Sequence, residues 1–590
     1  MSALQKLRAL VSARFVPVVA VALLSACVPP PQASGPLPPA QPVAPQVGQL
    51  DSAMVGERGL VSAADPRAAD AGAQILRQGG SATDAAIATM LALTVVEPQS
   101  SGIGGGGFFV VGDSTGQVET IDGRETAPMA AGPQWFYRNG QPLPFAEAVP
   151  GGRSVGVPGN IRLAAEAHRA RGLVTWRMLF RPAIQLARNG FTISPRLHRA
   201  LEEWNVARLD PSSRALFYGE DRRPLPVGTV VRNEALANTL EQLAARGAES
   251  FYVGPNAQAI AVRVGTSPVN PAPLSTGDLA TYQAKQRPPV CGAYRGWRIC
   301  GMGPPSSGAT SVYAVLKQLE RFNLAALGPN SPTAWHLIAE SQRLAYADRE
   351  RYLADPDFVK VPLAGLMDDA YLAQRSALIS ADSVMAKAEA GSPKGAIAYA
   401  DPQRQEEYGT SHFVAVDRWG SVVSYTSTIE SGFGSGLMVH GYYLNNELTD
   451  FNLVPDKDGA ATANRVEGGK RPRSSMAPTL VYRPDGTLAL AIGAGGGATI
   501  PMQVAKALIG VIDWKLPVQK AIALPVIFAP VDTVYLEAGS ALEAMAPQLQ
   551  ALGHAVEMRR PNYKANAIER VGNRWQGAAD PRSEGAAIAE

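Results

Sequence analysis

The 590-residue chain has little of what metal sites are built from, since it contains only three cysteines and six histidines. No segment matches the H-E-x-x-H pattern of zinc hydrolases. A zinc site built on cysteine needs four ligands, and Cys291 and Cys300 have no nearby histidine to complete one. The sequence therefore predicts neither a metal nor a cofactor.

Charge of one sign and long apolar runs are also scarce. The net charge of +3 is too small to indicate a nucleic-acid partner. The apolar run from Phe15 to Ala26 is too short to span a bilayer. What the chain does have is 46% hydrophobic residues and 58 glycines, which indicate a globular core with many tight turns.

The N-terminal 50 residues predict export and a membrane anchor. A positively charged start and the short apolar run are typical of a secretory signal peptide, here residues 1–26. The run ends "LSAC" at Cys27, which resembles the bacterial lipobox, where the new N-terminal cysteine is lipidated. The Pro-rich residues 27–50 would then be a spacer. We expect a lipoprotein on the periplasmic side of a bacterial membrane. An ordinary signal peptide and a soluble periplasmic protein are the alternative.

The other two cysteines lie at the ends of "CGAYRGWRIC", which has the pattern of a hairpin turning at residues 294–296. Cys291 and Cys300 would face each other across that hairpin. An exported protein can oxidise such a pair, so we expect a disulfide, with two free thiols as the alternative.

Periodicity gives a coarse secondary structure. It predicts helices over residues 51–95, mostly helices over 160–260, and a long amphipathic helix over 333–358. After a small, polar stretch the pattern changes at Thr410. There "TSHFVAVD" alternates like a strand, "DRWG" makes a turn and "SVVSYTSTI" returns, which predicts a β-hairpin.

The start of that hairpin is a candidate nucleophile. A threonine hydroxyl needs a base beside it. If the chain were cut between Gly409 and Thr410, the new α-amine, with a pKa near ~8, would serve as that base. An ordinary strand start fits the spacing as well. His412 lies two places along the strand, and this chemistry needs no imidazole.

Two other motifs lack the context that their chemistry requires. "GIGGGG" (102–107) matches a dinucleotide fingerprint, but a strand-like segment follows it instead of a helix. "GRSVG" (152–156) matches a serine-hydrolase elbow, but prolines and glycines flank it on both sides. We expect neither site, and expect the glycines of the first motif to allow close backbone packing.

Further stretches occur in order from residue 51 to the end of the chain and carry a family resemblance. They are "EPQSSGIGGGGFFVV", "TIDGRETAP", "GVPGN", "PPSSGAT", "LAYADRERYLADPDF", "GTSHFVAVDRWGSVVSYTSTI", "YYLNNELTDF", "GKRPRSSMAPTLV", "GAGGGATIP" and "GAADPRSEGAA". Together they resemble the γ-glutamyltranspeptidase (glutathione hydrolase) family. The resemblance implies an α+β fold, a four-layer αββα sandwich of the N-terminal-nucleophile hydrolase type. It also implies one globular unit formed by two subunits from one precursor, a large subunit of residues 51–409 and a small catalytic one of residues 410–590.

The resemblance also implies roles for individual residues. Thr410 corresponds to the nucleophile, and Thr428 to a second threonine that hydrogen-bonds it. Gly496 and Gly497 correspond to the glycines whose N–H groups form the oxyanion hole. A γ-glutamyl group has a free α-carboxylate and a free α-ammonium. The residues corresponding to carboxylate ligands are Arg124, Ser474 and Ser475, and those facing the ammonium are Glu430, Glu447 and Asp450.

Two departures from the family bear on the substrate. Glu430 stands where better-known members have an asparagine, which would place three carboxylates near one ammonium. Residues 452–469, which correspond to a loop over the glutamyl pocket in some members, have no aromatic residue to act as a gate. The balance of hydrolysis and transpeptidation therefore stays open.

The implied activity is that of a γ-glutamyltransferase and glutathione hydrolase, with glutathione and other γ-glutamyl compounds as donors and water, amino acids or peptides as acceptors. One alternative is an amidohydrolase of the same fold that resembles cephalosporin acylases, whose glutaryl substrates lack the amine. Three buried acids without a cation would make such a substrate costly. The other is a non-catalytic binding lipoprotein.

Overall fold

The computed structural model describes residues 55–56, 58–402 and 407–590. The predicted signal peptide (1–26), Cys27 and the spacer (27–50) lie outside the described residues. Among those that are described, no helix combines the length and the apolar character needed to cross a bilayer.

Two seven-stranded antiparallel sheets form the centre of the molecule. In spatial order, the first contains Ala586–Ala589, Leu60–Ala63, Ser411–Val416, Val422–Thr428, Gly106–Gly112, Val118–Gly123 and Lys285–Arg287. The second contains Val55–Gly56, Arg574–Ala579, Lys564–Val571, Leu488–Gly495, Thr479–Tyr482, Trp297–Gly301 and Val290–Tyr294.

Strand Ser411–Val416 shows how the layers are held together. All six of its residues are buried, because both faces of the strand are covered. Phe413 packs in one hydrophobic core with the helices on the outer face, whereas Val414 packs in a second core with the other sheet. Between the sheets, the amide of Asn566 donates to the His412 carbonyl oxygen at 3.0 Å. The predicted hairpin is confirmed, with this strand pairing antiparallel to Val422–Thr428.

Helices cover both outer faces, which gives the expected four-layer αββα sandwich. The main helices in the core that includes Phe413 are Pro66–Arg77, Ala82–Val96, Asn160–Arg171, Trp176–Asn189 and Glu234–Arg246. Those in the other core are Gly308–Leu319, Pro332–Tyr352, Asp369–Ala377, Ile500–Ile512 and Val518–Ala523.

Shorter elements complete the fold. The remaining α-helices are Phe145–Ala148, Pro195–Glu203, Pro211–Phe217, Glu249–Tyr252, Pro255–Gly265, Thr276–Ala280, Leu324–Leu327, Leu363–Leu366 and Ala546–Ala551. A small sheet contains Ile527–Phe528, Thr533–Glu537 and Ala555–Arg559, and two-stranded pairs join Tyr137–Arg138 to Gln141–Pro142, Phe191–Thr192 to Val230–Val231, Met438–Val439 to Tyr442–Tyr443, and Asp456–Lys457 to Ala460–Ala461.

Two of the sequence-based assignments need correction. Residues 51–95 are not helical throughout, because Leu60–Ala63 is a strand of the first sheet. The long helix ends at Tyr352 and is not amphipathic, because it is buried on nearly all sides. The hairpin disulfide is present between Cys291 and Cys300, which are directly paired across adjacent strands.

Candidate active site

Thr410 lies just before the buried strand Ser411–Val416, and its hydroxyl is held in place. The Thr410 Oγ1 donates to Oγ1 of Thr428, 3.2 Å away, at the end of the neighbouring strand. The Thr428 hydroxyl is oriented in turn because it accepts the Glu430 backbone N–H at 2.8 Å. The Thr410 N–H donates to the Ser100 carbonyl oxygen at 3.3 Å. The hydroxyl of the candidate nucleophile Thr410 is thus held against a second hydroxyl whose own position is fixed.

The backbone around this threonine is strained. Thr410 has a φ of +84°, and Glu430 has a φ of +71°. A β-branched residue rarely adopts the left-handed region, since its Cβ crowds the neighbouring carbonyls. Such conformations cost about 1–3 kcal/mol and occur most often at functional sites.

The carbonyl group before Thr410 accepts a hydrogen bond from a glycine-rich turn. The Gly496 N–H donates to the Gly409 carbonyl oxygen at 2.9 Å. Gly496 and Gly497 have positive φ angles of 127° and 58°, in the short turn that leads from strand Leu488–Gly495 into helix Ile500–Ile512. A Cβ on Gly497 would lie 2.0 Å from the Glu407 carbonyl oxygen. Glycine therefore lets this turn approach the segment before Thr410 closely enough to donate to its carbonyl.

An arginine and three acids line the same small cavity, whose volume is about 10 Å³. Arg124 follows strand Val118–Gly123 and is buried, and its guanidinium pairs with the carboxylates of Glu447 and Asp450. The Arg124 Nη2 also donates to the Arg473 carbonyl oxygen at 2.8 Å. The residue expected to hold a carboxylate is therefore bound here to two acids of the protein.

The three acids form a buried cluster of carboxyl groups. Carboxylate oxygens of Glu430, Glu447 and Asp450 all lie within 4.8 Å of one another. Burial raises the pKa of each well above its ordinary value, and for Glu430 the charges of the other two acids raise it further. The Oδ1 atom of Asp450 has no hydrogen-bond partner among the described residues. A cation with several donors, such as an ammonium group, would fit this cluster.

Ser474 and Ser475 line the cavity together with Thr410. The Ser474 Oγ accepts the Met476 backbone N–H at 3.2 Å. The Ser475 Oγ accepts from Nη2 of Arg349 at 2.5 Å. The residues that the resemblance assigns to the nucleophile, the oxyanion hole and the substrate pocket are thus brought together from both sheets and their connections.

Sequence reasoning missed two charged residues at this site. Arg349, near the end of helix Pro332–Tyr352, and Glu407, three residues before Thr410, form a buried ion pair at 2.6 Å. Arg349 lies in "LAYADRERYLADPDF", one of the stretches that carry the family resemblance, but the helical pattern of that stretch predicts only packing. Glu407 lies in a small, polar stretch whose sequence indicates no site.

Other motifs have structural roles. His412 is fully buried between the sheets, its Nδ1 lies 2.8 Å from Thr426 Oγ1, and burial lowers its pKa to about 3. In "GIGGGG", a Cβ on Gly105 would lie 1.9 Å from the Thr428 carbonyl oxygen, so this glycine allows a close backbone approach beside the site. In "GRSVG", the Ser154 Oγ donates to the Val149 carbonyl oxygen at 2.6 Å.

Comparisons with known proteins agree on one family. The family model described as gamma-glutamyltranspeptidase matches residues 68–590. A glutathione hydrolase proenzyme of Bacillus subtilis is 36% identical over 551 residues, which cover 90% of this chain and 92% of that protein.

Two solved structures that are similar to this chain are named for different activities. A cephalosporin acylase from Bacillus halodurans has a TM-score of 0.80 at 26% identity, covering 95% of this chain and 99% of that one. A Helicobacter pylori gamma-glutamyltranspeptidase chain has a TM-score of 0.52 at 36% identity, covering 54% of this chain and 91% of that one.

Proposed function

Since the chain belongs to the gamma-glutamyltranspeptidase family, we propose that it is a precursor that cuts itself between Gly409 and Thr410 and then acts as a γ-glutamyltransferase and glutathione hydrolase. The observation that carries this proposal is the convergence at Thr410. Its hydroxyl is paired with Thr428, and the carbonyl before it accepts from Gly496.

In the self-cleavage step, the Thr410 hydroxyl attacks the Gly409 carbonyl carbon. The Gly496 N–H is already placed on the carbonyl oxygen, where negative charge develops, and such a donor typically contributes about 3 kcal/mol in the transition state. The C–N bond breaks, the hydroxyl proton passes to the released Thr410 nitrogen, and the products are an ester and a free Thr410 amine. Water then hydrolyses the ester and leaves Gly409 as a C-terminus. The large and small subunits stay associated as a heterodimer, because both contribute hydrogen-bonded strands to each sheet.

In the cleaved enzyme, Thr410 supplies both nucleophile and base. Its free α-amine, with an ordinary pKa near ~8, takes the hydroxyl proton as the oxygen attacks the γ-glutamyl amide. The amine of the leaving group departs with a proton, and a γ-glutamyl ester forms on Thr410. Water, an amino acid or a peptide amine then accepts the glutamyl group.

The acid cluster supports a γ-glutamyl substrate in particular. Glu430, Glu447 and Asp450 carry three carboxylates, whereas Arg124 brings one positive charge to them. A substrate ammonium would reduce the remaining repulsion. A glutaryl group would not, since it lacks the amine.

The direct test of self-cleavage is a denaturing gel of the purified protein with N-terminal sequencing. We expect a small fragment beginning Thr-Ser-His, and a single uncut chain for Thr410→Ala. A wild-type protein that stays one chain would favour the non-catalytic binding lipoprotein.

A cephalosporin-acylase-like activity is the second candidate, because the acylase from Bacillus halodurans shares the fold. Rates on γ-glutamyl-p-nitroanilide and glutaryl-7-aminocephalosporanic acid separate the two. We expect a clear preference for the γ-glutamyl compound. The opposite preference would overturn the role given to the three acids.

We further propose that the protein is exported and lipid-anchored through Cys27 on the periplasmic side of a bacterial membrane. The support is the lipobox-like "LSAC" and the spacer after it. Cys27→Ser should move the protein from the membrane fraction to the soluble periplasmic fraction. Retention in the membrane would contradict the anchor.

A further inference from the structure

A buried ion pair that the proposed mechanism does not use lies beside the Thr410 backbone. Lys564 begins the strand Lys564–Val571 of the second sheet, and Glu97 directly follows helix Ala82–Val96. The Lys564 Nζ donates to both carboxylate oxygens of Glu97, at 3.0 and 3.1 Å. The two side chains are 1% and 4% exposed. Because burying two charges is costly, stability alone does not explain this pair.

Lys564 also holds two serines that adjoin the Thr410 nitrogen. Its Nζ donates to Ser100 Oγ at 3.1 Å and to Ser411 Oγ at 3.3 Å. The Ser100 carbonyl oxygen accepts the Thr410 N–H at 3.3 Å, and Ser411 is the next residue of the chain. A Cβ on Gly495 would lie 3.0 Å from Lys564 Cε and 2.4 Å from the Thr410 carbonyl oxygen. A single residue, Ser100, thus connects the Lys564 ammonium group to the Thr410 nitrogen.

Self-cleavage would place a second amine next to this ammonium group. In the precursor the Thr410 nitrogen belongs to a peptide bond and does not titrate, whereas in the cleaved protein it is an α-amine. Two neighbouring amines do not readily hold a proton each, because a like charge disfavours the charged form of either. Glu97 favours the charge on Lys564, since its carboxylate pairs directly with that side chain.

Other charges around this pair act on the same balance. Arg196 Nε lies 3.8 Å from Glu97 Oε1, so two cations share one carboxylate. Burial would raise the pKa of Glu97, but the charges of Lys564 and Arg196 outweigh it and hold that pKa below its usual value. Burial lowers the pKa of Lys564 to about 8, although the charges of Glu97 and Glu584 raise it. At pH 7 the Lys564 side chain is therefore mainly charged.

Further titratable groups lie on the other elements around Thr410. Its own cavity contributes Arg124, Glu407 and the three acids of the cluster, and the cavity beside Gly409 contributes Arg196, Arg199 and Glu203. Ionised acids of the cluster would favour an ammonium group at Thr410, since opposite charges attract. A buried cation at Lys564 opposes that effect.

We propose that Lys564 is a positioning residue for the catalytic base: its ammonium group keeps the Thr410 α-amine of the cleaved enzyme unprotonated, and its bonds to Ser100 and Ser411 hold that amine in place. This inference rests on the proposed self-cleavage, which creates the amine. Only a neutral amine has the lone pair that takes the proton of the Thr410 hydroxyl. An α-amine with an ordinary pKa near ~8 would be mostly protonated at pH 7.

The test measures the pKa of the Thr410 α-amine in the cleaved protein. Dinitrofluorobenzene reacts with neutral amines, so the pH dependence of its reaction at Thr410 gives this pKa, and mass spectrometry of the N-terminal peptide of the small subunit identifies the site. We expect Lys564→Met to raise the pKa by at least about 1 relative to wild type, because a neighbouring like charge is removed. Lys564→Arg keeps that charge and should leave the pKa within about 0.3 of wild type.

Lys506→Met is the matched control, since Lys506 is also a buried lysine but donates to the carbonyl oxygens of Ile522 and Leu524. It should leave the pKa of the Thr410 amine unchanged. An unchanged pKa in Lys564→Met, or an equal rise in both methionine variants, would overturn the proposal. A wild-type protein without a free Thr410 amine would refute the proposed self-cleavage instead.

Activity gives a second measurement that separates charge from structure. In cleaved Lys564→Met, kcat for γ-glutamyl-p-nitroanilide should fall about tenfold at pH 6 and change less than about twofold at pH 9, where the amine is neutral in both proteins. An equal loss at both pH values would mean that Lys564 only supports the structure, and the proposal would be wrong.

Wild-type protein alone keeps the proposal testable if Lys564→Met fails to fold or to mature. The Thr410 amine of the folded wild type should have a pKa at least about 1 below that of the free peptide with the sequence of residues 410–415, labelled in the same way. A folded-state pKa equal to or above that of the peptide would overturn the proposal.

Discussion

The Gly409→Ala substitution tests the geometry of the proposed cleavage at its carbonyl. Gly409 has a φ of +66°, and a Cβ added there would lie 1.5 Å from the Glu430 carbonyl oxygen. An ordinary contact begins near 3.4 Å, so one of the two segments must move by about 2 Å. That movement would take the Gly409 carbonyl away from the Gly496 N–H. Because a displacement of about 1 Å can cost about 100-fold in rate, we expect cleavage at least about 100-fold slower.

Gly420→Ala is the control that separates this clash from backbone strain. Gly420 lies in the turn of the hairpin, has a φ of +83° and has nothing within 4 Å of an added Cβ. Both substitutions carry the left-handed penalty of about 1–2 kcal/mol, but only Gly409→Ala meets another atom. The assay follows the uncut chain on denaturing gels over time, with Thr410→Ala as the uncut marker. Cleavage of Gly409→Ala at the rate of Gly420→Ala would refute the assigned geometry.

Three other predictions concern the nucleophile, a buried histidine and the disulfide. Thr428→Val should lower kcat of the mature enzyme about 10- to 100-fold, since it removes the hydroxyl that is bonded to Thr410 and that accepts the Glu430 N–H; steady-state kinetics would check this. His412 has a pKa of about 3 when folded against an ordinary 6.5, so the unfolded chain takes up the proton first and stability falls as pH drops below 6.5. At pH 5 this protonation lowers the free energy of unfolding by about 2 kcal/mol. His412→Gln lacks the titrating group, so between pH 8 and pH 5 its free energy of unfolding should fall by about 2 kcal/mol less than that of wild type, as measured by denaturant titration. The double substitution Cys291→Ser, Cys300→Ser opens a loop with a sequence separation of 9 and should cost about 3 kcal/mol, measured as a lower denaturation midpoint that matches reduced wild type.

The hairpin and the sandwich could be predicted from the sequence for different reasons. Ser411–Val416 and Val422–Thr428 alternate with period two around a four-residue turn, which is a local signal. The four-layer arrangement could be predicted only from the family resemblance, because the periodicity of a strand does not indicate which sheet the strand joins. Strand Leu60–Ala63 was missed because its four residues are buried on both faces and helical patterns follow it directly.

The contacts within the site depend on long-range packing that a linear pattern does not encode. Arg124 and Glu447 are separated by 323 residues, and Arg349 and Glu407 by 58. The resemblance predicted that Arg124 would grip the substrate carboxylate, but nothing in its local sequence indicated that two acids would already occupy its guanidinium. Ion pairs of this kind follow from the distance between elements once the layers have assembled.

The strain at Thr410 connects the fold to the proposed cleavage. A positive φ is unfavourable because the Cβ and the preceding carbonyl oxygen crowd each other, and at Thr410 that oxygen belongs to Gly409. Breaking the bond between these two residues removes the Gly409 carbonyl from the Thr410 nitrogen, so this crowding ends with the cut. The penalty of about 1–3 kcal/mol is therefore present in the precursor and absent from the product. Packing of the sheets offsets this penalty in the precursor, because the burial of Ser411–Val416 on both faces fixes the chain immediately after Thr410.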